Sequence, residues 1–267
     1  EFSRAPFSRS AVSSKNLSGV IAVCCRIGTS TVEHMIRVGV VGAAGRMGAA
    51  VCDAVAADPQ LDLVAAFDPH GGSNAVIEIA TDLDSFVEAE VDVAIDFTFL
   101  EAARVNLDWL ATNGIHAVVG TTGFTDDDLN RLRSRFTSSN CLIAPNFAIT
   151  AVLMMRLSEL AAPFFDTVEI IELHHDNKVD APSGTAMMTA ERIAASSGDW
   201  AGDPTTIEVV PGVRGGSGPG CIPMHAVRMR GMVAHQEVIL GAEGQTLTLR
   251  QDSYDRSSFM PGVILAV

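Results

Sequence analysis

A short apolar run that leads into three evenly spaced glycines is the feature of this sequence that most constrains its fold. The run Ile36–Val41 is rich in isoleucine and valine, as is typical of a strand buried on both faces. Gly42, Gly45 and Gly48 follow it, and a helical pattern extends over Arg46–Ala57. A strand, a glycine turn and a helix in this order predict the phosphate-binding end of a dinucleotide-binding domain.

The first half of the chain continues this alternation of apolar runs and helical patterns. Further strands are predicted at Leu61–Phe67 and at residues 91–97, 115–119 and 140–144, and further helices at residues 101–113 and 126–136. Strands that alternate with helices favour a parallel sheet with helices on both faces. The predicted fold class is therefore α/β, with an N-terminal Rossmann-like, doubly wound parallel sheet.

The second half has a different pattern. Helices are predicted at residues 151–162 and 185–196, and strands at residues 168–173, 221–230, 235–240 and 245–251, with a segment at 206–210 and a glycine-rich loop at 212–220. Several strands that follow one another without helices between them indicate antiparallel pairing. We therefore expect a smaller α+β domain with a mixed, mostly antiparallel sheet.

These patterns divide the chain into four parts. We predict a dinucleotide-binding domain over residues 35–147 and a substrate-binding domain over residues 148–252. Residues 253–267 form a last part, and the sequence stops there inside a helical pattern. Residues 1–34 are rich in serine and arginine and lack periodicity. They are expected to be an upstream or non-native segment without ordered structure.

An acidic residue stands where a nicotinamide dinucleotide needs one. Asp68 closes the second predicted strand, 20 positions after Gly48. A carboxylate there accepts hydrogen bonds from the adenosine ribose and repels a 2′-phosphate. Pro69 follows it, where an arginine would favour NADP, so this site favours NAD. Arg46 could still reach a phosphate, which leaves the use of both cofactors open.

Two loops follow later strands at the same edge of the predicted sheet. They are Gly120-Thr121-Thr122-Gly123 and Ala144-Pro145-Asn146-Phe147, with Phe97-Thr98-Phe99 expected nearby. Ligands of open α/β sheets bind beyond the carboxyl ends of the strands. Both loops are therefore expected to border the nicotinamide half of the cofactor.

Lysine is so rare in this chain that one position stands out. The sequence has two lysines against 16 arginines, and only Lys178 follows Met35. An ammonium is a compact charge with a tunable pKa, which a guanidinium does not replace. Lys178 lies between the paired histidines His174 and His175 and a helix-start signal, Pro182-Ser183-Gly184-Thr185. Composition alone also allows a solvated loop with an incidental lysine.

The chemistry of this segment indicates a reaction. The start of a helix offers unpaired N–H groups to an anion, and histidine is the commonest proton donor near neutral pH. Together with a dinucleotide fold, these groups predict hydride transfer to a small carboxylate-bearing substrate, with protonation by the protein. A metal shared by His174 and His175 is disfavoured because adjacent strand residues point to opposite sides, so no metal is predicted. Arg214 and His235 are open candidates to assist, with a structural role favoured for His235.

Charge and composition exclude several classes of partner. The formal net charge of −14 argues against nucleic acid and anionic membranes. The longest apolar runs fall far short of the roughly 20 residues that a membrane span needs. Five cysteines show neither metal spacing nor a disulfide pattern, which suits a reducing cytoplasm. Cys52 and Cys141 are expected to be buried.

The motifs together resemble those of the dihydrodipicolinate reductase family, also called 4-hydroxy-tetrahydrodipicolinate reductases. The resemblance rests on Gly42-x-x-Gly-Arg-Met-Gly48, on Gly120-Thr-Thr-Gly123 and above all on Glu172-x-His-His-x-x-Lys-x-Asp-Ala-Pro-Ser-Gly-Thr185. It extends from Met35 to Val267. It implies that the domain at residues 148–252 also serves oligomerisation and that residues 253–267 return to the dinucleotide-binding domain and stop short there. It implies the reduction of a cyclic imine dicarboxylate by NADH or NADPH in the diaminopimelate route to lysine.

The resemblance also implies roles for individual residues. His174 would be the proton donor and acceptor and Lys178 the proton donor. The substrate would be bound by His175, Lys178, Ser183, Gly184 and Thr185. The cofactor would be bound by Gly42, Ala43, Ala44, Gly45, Arg46, Met47, Asp68, Gly120, Thr121, Thr122, Ala144, Pro145, Asn146 and Phe147. The implied assembly is a cytoplasmic homotetramer joined through the second domain's sheet. Another nicotinamide-dependent dehydrogenase and a non-enzymatic dinucleotide sensor remain as alternatives.

Overall fold

The structure, a computed structural model, describes residues 21–22, 35–198 and 200–267. The disorder expected for residues 1–34 falls outside the described residues, apart from Ile21–Ala22. The strands of the first half are β1 (Ile21–Ala22), β2 (Ile36–Val41), β3 (Leu61–Phe67), β4 (Gly72–Ser73), β5 (Glu78–Ile79), β6 (Val93–Asp96), β7 (His116–Val119) and β8 (Cys141–Ile143). Its helices are α1 (Arg46–Ala57), α2 (Asp84–Glu88), α3 (Leu100–Thr112) and α4 (Asp126–Arg135).

The predicted parallel sheet is confirmed. Five parallel strands lie in the order β3-β2-β6-β7-β8, with β1 antiparallel at the β8 edge. The chain order reverses between β2 and β6, so the loops after these two strands open a crevice there, where such sheets bind ligands. The sequence pattern missed the short helix α2 and the two-residue strands β4 and β5, which pair with each other.

Helices cover both faces of this sheet with apolar residues one turn apart. On one face, α1 buries Val51 and Val55 against the strands. On the other, α3 buries Leu107 and Leu110. Cys52 and Cys141 are buried as predicted, which agrees with the behaviour of a thiol as a small apolar side chain.

The second sheet is mixed and mostly antiparallel, as predicted. The elements are α5 (Ile149–Ala161), β9 (Thr167–His174), α6 (Gly184–Ser196), β10 (Gly216–Ser217), β11 (Pro223–Arg228), β12 (Ala234–Ala242) and β13 (Gln245–Ser253). The strand order is β10-β11-β9-β12-β13, and only the β11–β9 pair is parallel. The segment predicted at residues 206–210 forms neither helix nor strand.

The two faces of this sheet differ. Helix α6 buries Ala186, Ala190 and Ile193 against Ile170 and Val238 on one face. The alternating positions Ile171, Leu173 and Ile239 point to the other face. None of these three residues belongs to a hydrophobic cluster of the described part of the chain.

The end of the chain packs against the first sheet's core. Helix α7 (Met260–Ala266) follows a short 3₁₀ turn at Arg256–Phe259. Its Met260 and Val263 join the cluster that contains Val51 of α1. Within the described residues, no helix has both the length and the apolar character needed to cross a bilayer.

Candidate active site

The glycine loop after β2 leaves a helix start open to an anion. Gly42 has φ of 75°, which favours glycine. A Cβ on Gly48 would lie 2.1 Å from the Gly42 carbonyl oxygen, so only glycine lets α1 pack this closely on the loop. Gly45 caps α1 without a side-chain hydrogen bond, and the first turn carries no acidic residue. Its N–H groups can therefore meet a phosphate.

Asp68 follows β3 beside this loop. One of its carboxylate oxygens accepts the N–H of His70 at 3.0 Å. The other oxygen has no partner among the described residues and can accept hydrogen bonds from a ribose.

A buried carboxylate that was not predicted from the sequence lies at the crevice between β2 and β6. Asp96 ends β6 with no exposed surface. It accepts hydrogen bonds from the Thr98 N–H and hydroxyl, from the Thr121 hydroxyl and from Asn106 Nδ2, at 2.6–3.3 Å. The loop after β6 and the loop after β7 are thereby joined. The sequence signal that could have predicted this site is an acidic residue at the end of an apolar strand with a threonine two positions later.

The loops after β6 and β8 also meet through their aromatic side chains. The rings of Phe97 and Phe147 are 5.5 Å apart. A Cβ on Gly120 would lie 2.0 Å from the Phe97 ring, so this glycine is needed for the approach of the two loops. The structure thus brings together the two loops that were predicted to border the nicotinamide and the loop at residues 97–99 that was expected nearby.

His174 ends β9 and is held by a buried carboxylate. Its Nδ1 lies 2.5 Å from Glu172 Oε2, and the Arg228 guanidinium binds both Glu172 oxygens at 2.7 and 2.8 Å. The Ser183 N–H donates to Glu172 Oε1 at 3.2 Å. Burial would raise the pKa of Glu172, but hydrogen bonds from His174 and Arg228 lower the pKa to about 2. Glu172 is therefore a buried anion with four donors.

Neither Glu172 nor Arg228 was singled out for a role from the sequence. A signal was nonetheless present, because Val168, Ile170 and Glu172 occupy the alternating buried positions of β9. A carboxylate in such a series needs partners when it is buried. The partner Arg228 lies 56 positions away, and only the parallel pairing of β11 with β9, which sets Arg228 beside His174, brings it near.

Lys178 binds a neighbouring side chain in the loop after β9. Its Nζ donates to both carboxylate oxygens of Asp180, at 2.8 and 2.9 Å, and the lysine side chain is 20% exposed. The Lys178 hydrogen bond lowers the pKa of Asp180. His175 is exposed. Neither Lys178 nor His175 lines the cavity beside His174.

Ser183 caps α6, as predicted. Its hydroxyl accepts the Ala186 N–H at 3.2 Å, and α6 begins at Gly184. Ser183 and Thr185 line a cavity of about 230 Å³. Among the other side chains around it are Pro145, Asn146, His174, His235, Gln236 and Phe259.

One hydrogen bond crosses this cavity between the two halves of the chain. Asn146 Nδ2, in the loop after β8, donates to Thr185 Oγ1 at 3.2 Å. Asn146 Oδ1 accepts the Ala148 N–H at 2.8 Å, so the amide is held from both ends. A residue predicted to contact the cofactor and a residue predicted to contact the substrate are therefore in direct contact.

The two candidate assisting residues lie in different places. His235 belongs to β12, not to a loop, and both of its ring nitrogens are engaged, by Asp252 at 2.7 Å and by the Val233 N–H at 3.2 Å. This agrees with a structural histidine, although His235 lines the cavity. Arg214 binds Glu169 and Asp203 and lines a separate cavity of about 490 Å³.

Known proteins resemble this chain over most of its length. Two protein-family models match it, "Dihydrodipicolinate reductase, N-terminus" at residues 36–147 and "Dihydrodipicolinate reductase, C-terminus" at residues 150–267. The 4-hydroxy-tetrahydrodipicolinate reductase of Corynebacterium urealyticum is 49% identical over 239 residues, which cover 87% of this chain and 92% of the relative. That of Streptomyces coelicolor is 47% identical over 236 residues, which cover 86% and 90%.

Solved structures agree with these matches. A dipicolinate-bound dihydrodipicolinate reductase from Paenisporosarcina sp. is 40% identical, with a TM-score of 0.79, and the match covers 87% of this chain and 93% of that one. GenD2 from gentamicin A biosynthesis, in complex with NAD, is 14% identical, with a TM-score of 0.56 over 85% and 75% of the two chains. This second likeness is one of fold.

Proposed function

The chain belongs to the dihydrodipicolinate reductase family, and from this premise we propose that the cavity beside His174 is its active site. The enzyme is an oxidoreductase that uses NADH or NADPH to reduce 4-hydroxy-tetrahydrodipicolinate to tetrahydrodipicolinate in the diaminopimelate route to lysine. The observation that carries the placement is the Asn146–Thr185 hydrogen bond, because it joins the dinucleotide side and the anion-binding side at one cavity.

The residues of the first domain fit a dinucleotide. The uncapped start of α1 suits a pyrophosphate and the open oxygen of Asp68 suits a ribose. The loops at residues 120–122 and 144–147 would border the nicotinamide, which supplies the hydride when the cofactor is bound. Asp96 holds the loop at residues 120–122 at a fixed separation from the neighbouring loop after β6.

The start of α6 suits one carboxylate of the substrate. The N–H groups of Gly184 and Thr185 and the hydroxyls of Ser183 and Thr185 would be the donors there, since the Ser183 N–H already donates to Glu172. The Lys178 ammonium binds the exposed carboxylate of Asp180 in this structure, and it would leave that carboxylate to bind the substrate. His175 would join from the same loop. His174 would move a proton at Nε2, because its Nδ1 is held by Glu172.

We also propose a homotetramer that acts in the cytoplasm. The apolar positions Ile171, Leu173 and Ile239 on the outer face of the second sheet support assembly through that face, since sheets pack face to face through such side chains. The unpaired thiols of Cys52, Cys141 and Cys221 suit a reducing compartment.

One assay tests the proposed reaction. Oxidation of NADH and of NADPH is followed by the loss of nicotinamide absorbance, with substrate generated in the cuvette by dihydrodipicolinate synthase. Turnover is expected only when the synthase and both of its substrates are present. Cofactor binding without oxidation would instead favour the sensor alternative.

A further inference from the structure

We propose that Glu172 and Arg228 form a positioning pair that fixes the His174 imidazole with Nδ1 protonated and Nε2 directed to the cavity. The inference rests on the proposed role of His174 in proton transfer. Neither residue of the pair need touch the substrate, because both act through His174 and through the loop that carries Lys178.

The first step concerns which nitrogen of His174 carries a proton. An ionised carboxylate only accepts hydrogen bonds. Glu172 Oε2 lies 2.5 Å from Nδ1, so Nδ1 must be the donor. In the neutral ring Nε2 is then the acceptor. In the charged ring, only the proton on Nε2 can leave without breaking the hydrogen bond between Nδ1 and Glu172. Proton exchange with a ligand in the cavity is therefore confined to Nε2.

The second step concerns how Glu172 stays both charged and fixed. Its side chain is 1% exposed. The fork of Arg228 binds both carboxylate oxygens, which sets the plane of the carboxylate and supplies the opposite charge. A buried carboxylate without that partner would be strongly destabilised. Arg228 thus holds Glu172 in the state and orientation that His174 needs.

The third step concerns the reach of Arg228 beyond Glu172. Its Nη2 also donates to the Asp180 carbonyl oxygen at 2.7 Å. Asp180 is the residue whose carboxylate binds Lys178. The Arg228 guanidinium therefore contacts both Glu172, which holds the His174 ring, and the backbone of Asp180, whose side chain binds Lys178. The positions of both proposed proton donors depend on Arg228.

Other charged groups surround His174 and bear on its pH dependence. They are His175 and Asp176 next to it in the chain, Lys178 and Asp180 in the following loop, Arg230 beyond β11, which pairs with Asp176, and the His235–Asp252 pair on β12 and β13. Of these, none is hydrogen-bonded to the His174 ring, whereas Glu172 is.

The neighbouring helix α5 offers a control. Glu159 of helix α5 is also a carboxylate held by two cationic side chains, with Arg156 at 2.6 Å and Arg192 at 3.4 Å. It lines neither of the two cavities and lies outside the second sheet. Glu159→Gln makes the same chemical change away from both the proposed site and the proposed assembly face.

The experiment compares Glu172→Gln with Glu159→Gln in the complete chain. For Glu172→Gln we expect kcat to fall by about 100-fold, within the range that general acid–base groups contribute. NADH and dipicolinate, an inert planar dicarboxylate, should bind nearly as in the wild type. The pH profile of kcat/KM should move to lower pH, because a protonated imidazole loses its anionic neighbour. Glu159→Gln should keep the wild-type kcat and pH profile.

Two further measurements keep the inference falsifiable. Arg228→Lys keeps the positive charge but loses the two parallel hydrogen bonds to Glu172. It should lower kcat by a smaller factor than Glu172→Gln and shift the pH profile of kcat/KM. This variant tests the inference if Glu172→Gln does not fold. The ¹⁵N chemical shifts of the His174 ring should report protonated Nδ1 in the wild type and mixed tautomers in Glu172→Gln. This readout needs no turnover, so it separates the inference from the proposed reaction.

Several results would overturn the inference. An unchanged kcat and pH profile in Glu172→Gln would do so, as would an Nε2-protonated ring in the wild type. A loss of kcat that tracks a loss of dipicolinate affinity and thermal stability, with an unshifted profile, would assign the pair a structural role alone. An inactive wild type with protonated Nδ1 would contradict the proposed function and leave the positioning standing.

Discussion

Lys178 has a proposed role in proton transfer and forms an ion pair with Asp180 in this structure. Replacing Lys178 with alanine removes the only lysine ammonium of the described residues and should lower kcat by about 100-fold or more. NADH affinity should not change, since Lys178 lies in the loop after β9 and not in the first domain. Lys178→Arg should not restore kcat, because a guanidinium does not give up its proton.

The measurement is steady-state kinetics combined with a fluorescence titration of NADH. Arg230→Ala is the control, as Arg230 pairs with Asp176 nearby and is 92% exposed. Wild-type turnover in Lys178→Ala would show that this lysine has no part in the chemistry.

Asp68 is expected to set the preference between the two cofactors. Its open oxygen should bind the ribose hydroxyls of NADH and repel the 2′-phosphate of NADPH. We expect a higher kcat/KM with NADH, and Asp68→Ser should shift the ratio toward NADPH by about tenfold, equivalent to about 1.4 kcal/mol. Asp62→Ser, on the same strand and paired with Arg37, should leave the ratio unchanged. Equal shifts in both variants would contradict this role.

The residues that could be predicted and those that could not differ in a physical way. The cap at Ser183 was predicted and is confirmed, because a helix cap is a local signal. Lys178 stood out by the rarity of lysine, and its role stays a prediction. Glu172 and Arg228 were not given roles because their contact depends on strand pairing across 56 positions. The ion pair between Lys178 and Asp180 could not be predicted either, because residue types alone do not decide which acidic side chain of the loop binds the lysine.

At the scale of an element, the fit of helix α1 to the glycine loop is the sharpest constraint. An alanine Cβ at position 48 would meet the Gly42 carbonyl oxygen and the Ala43 Cα. The helix must then shift away from the loop, so Gly48→Ala should cost about 1–3 kcal/mol of unfolding free energy and weaken NADH binding. Urea denaturation and NADH titration measure the two effects. Gly202→Ala is the control, since nothing lies within 4 Å of its added Cβ.

An unaltered NADH affinity in Gly48→Ala would mean that the helix start is not the phosphate site. The outcome matters because the element itself was easy to predict. The strands β2, β3, β6, β7 and β8 and the helices α1, α3 and α4 of the first half left a clear periodicity, whereas the five-residue helix α2 did not. The two-residue strands β4 and β5 depend on backbone pairing rather than on apolar pattern, and so left no signal.

At the scale of the whole molecule, the low pKa of Glu172 links acid stability to the proposed site. The pKa is lowered from 4.5 to about 2, so the folded state binds this proton less readily than the unfolded chain. The stabilisation is complete above the unfolded pKa and is lost as the pH falls through the folded pKa. Thermal melting over this window should show a steeper loss of stability in the wild type than in Glu172→Gln. Parallel curves would contradict the linkage.

The open face of the second sheet makes a final prediction about assembly. Ile239 lies in the middle of β12 and points away from the α5 and α6 side of the sheet. If four chains meet through this face, Ile239→Lys buries an unpaired charge at the contact and should reduce the assembly to smaller species. Light scattering after gel filtration measures the mass, and circular dichroism checks that the fold persists.

Val105→Lys provides the comparison, because Val105 is 68% exposed on helix α3 of the first domain. It adds the same charge outside the proposed contact and should leave the mass of the assembly unchanged. A monomeric wild type at micromolar concentration would contradict the proposed homotetramer, and an unchanged mass for Ile239→Lys would place the contact elsewhere. Because the His174 strand β9 lies beside β12 in the same sheet, dissociation in Ile239→Lys should also lower kcat, whereas Val105→Lys should not.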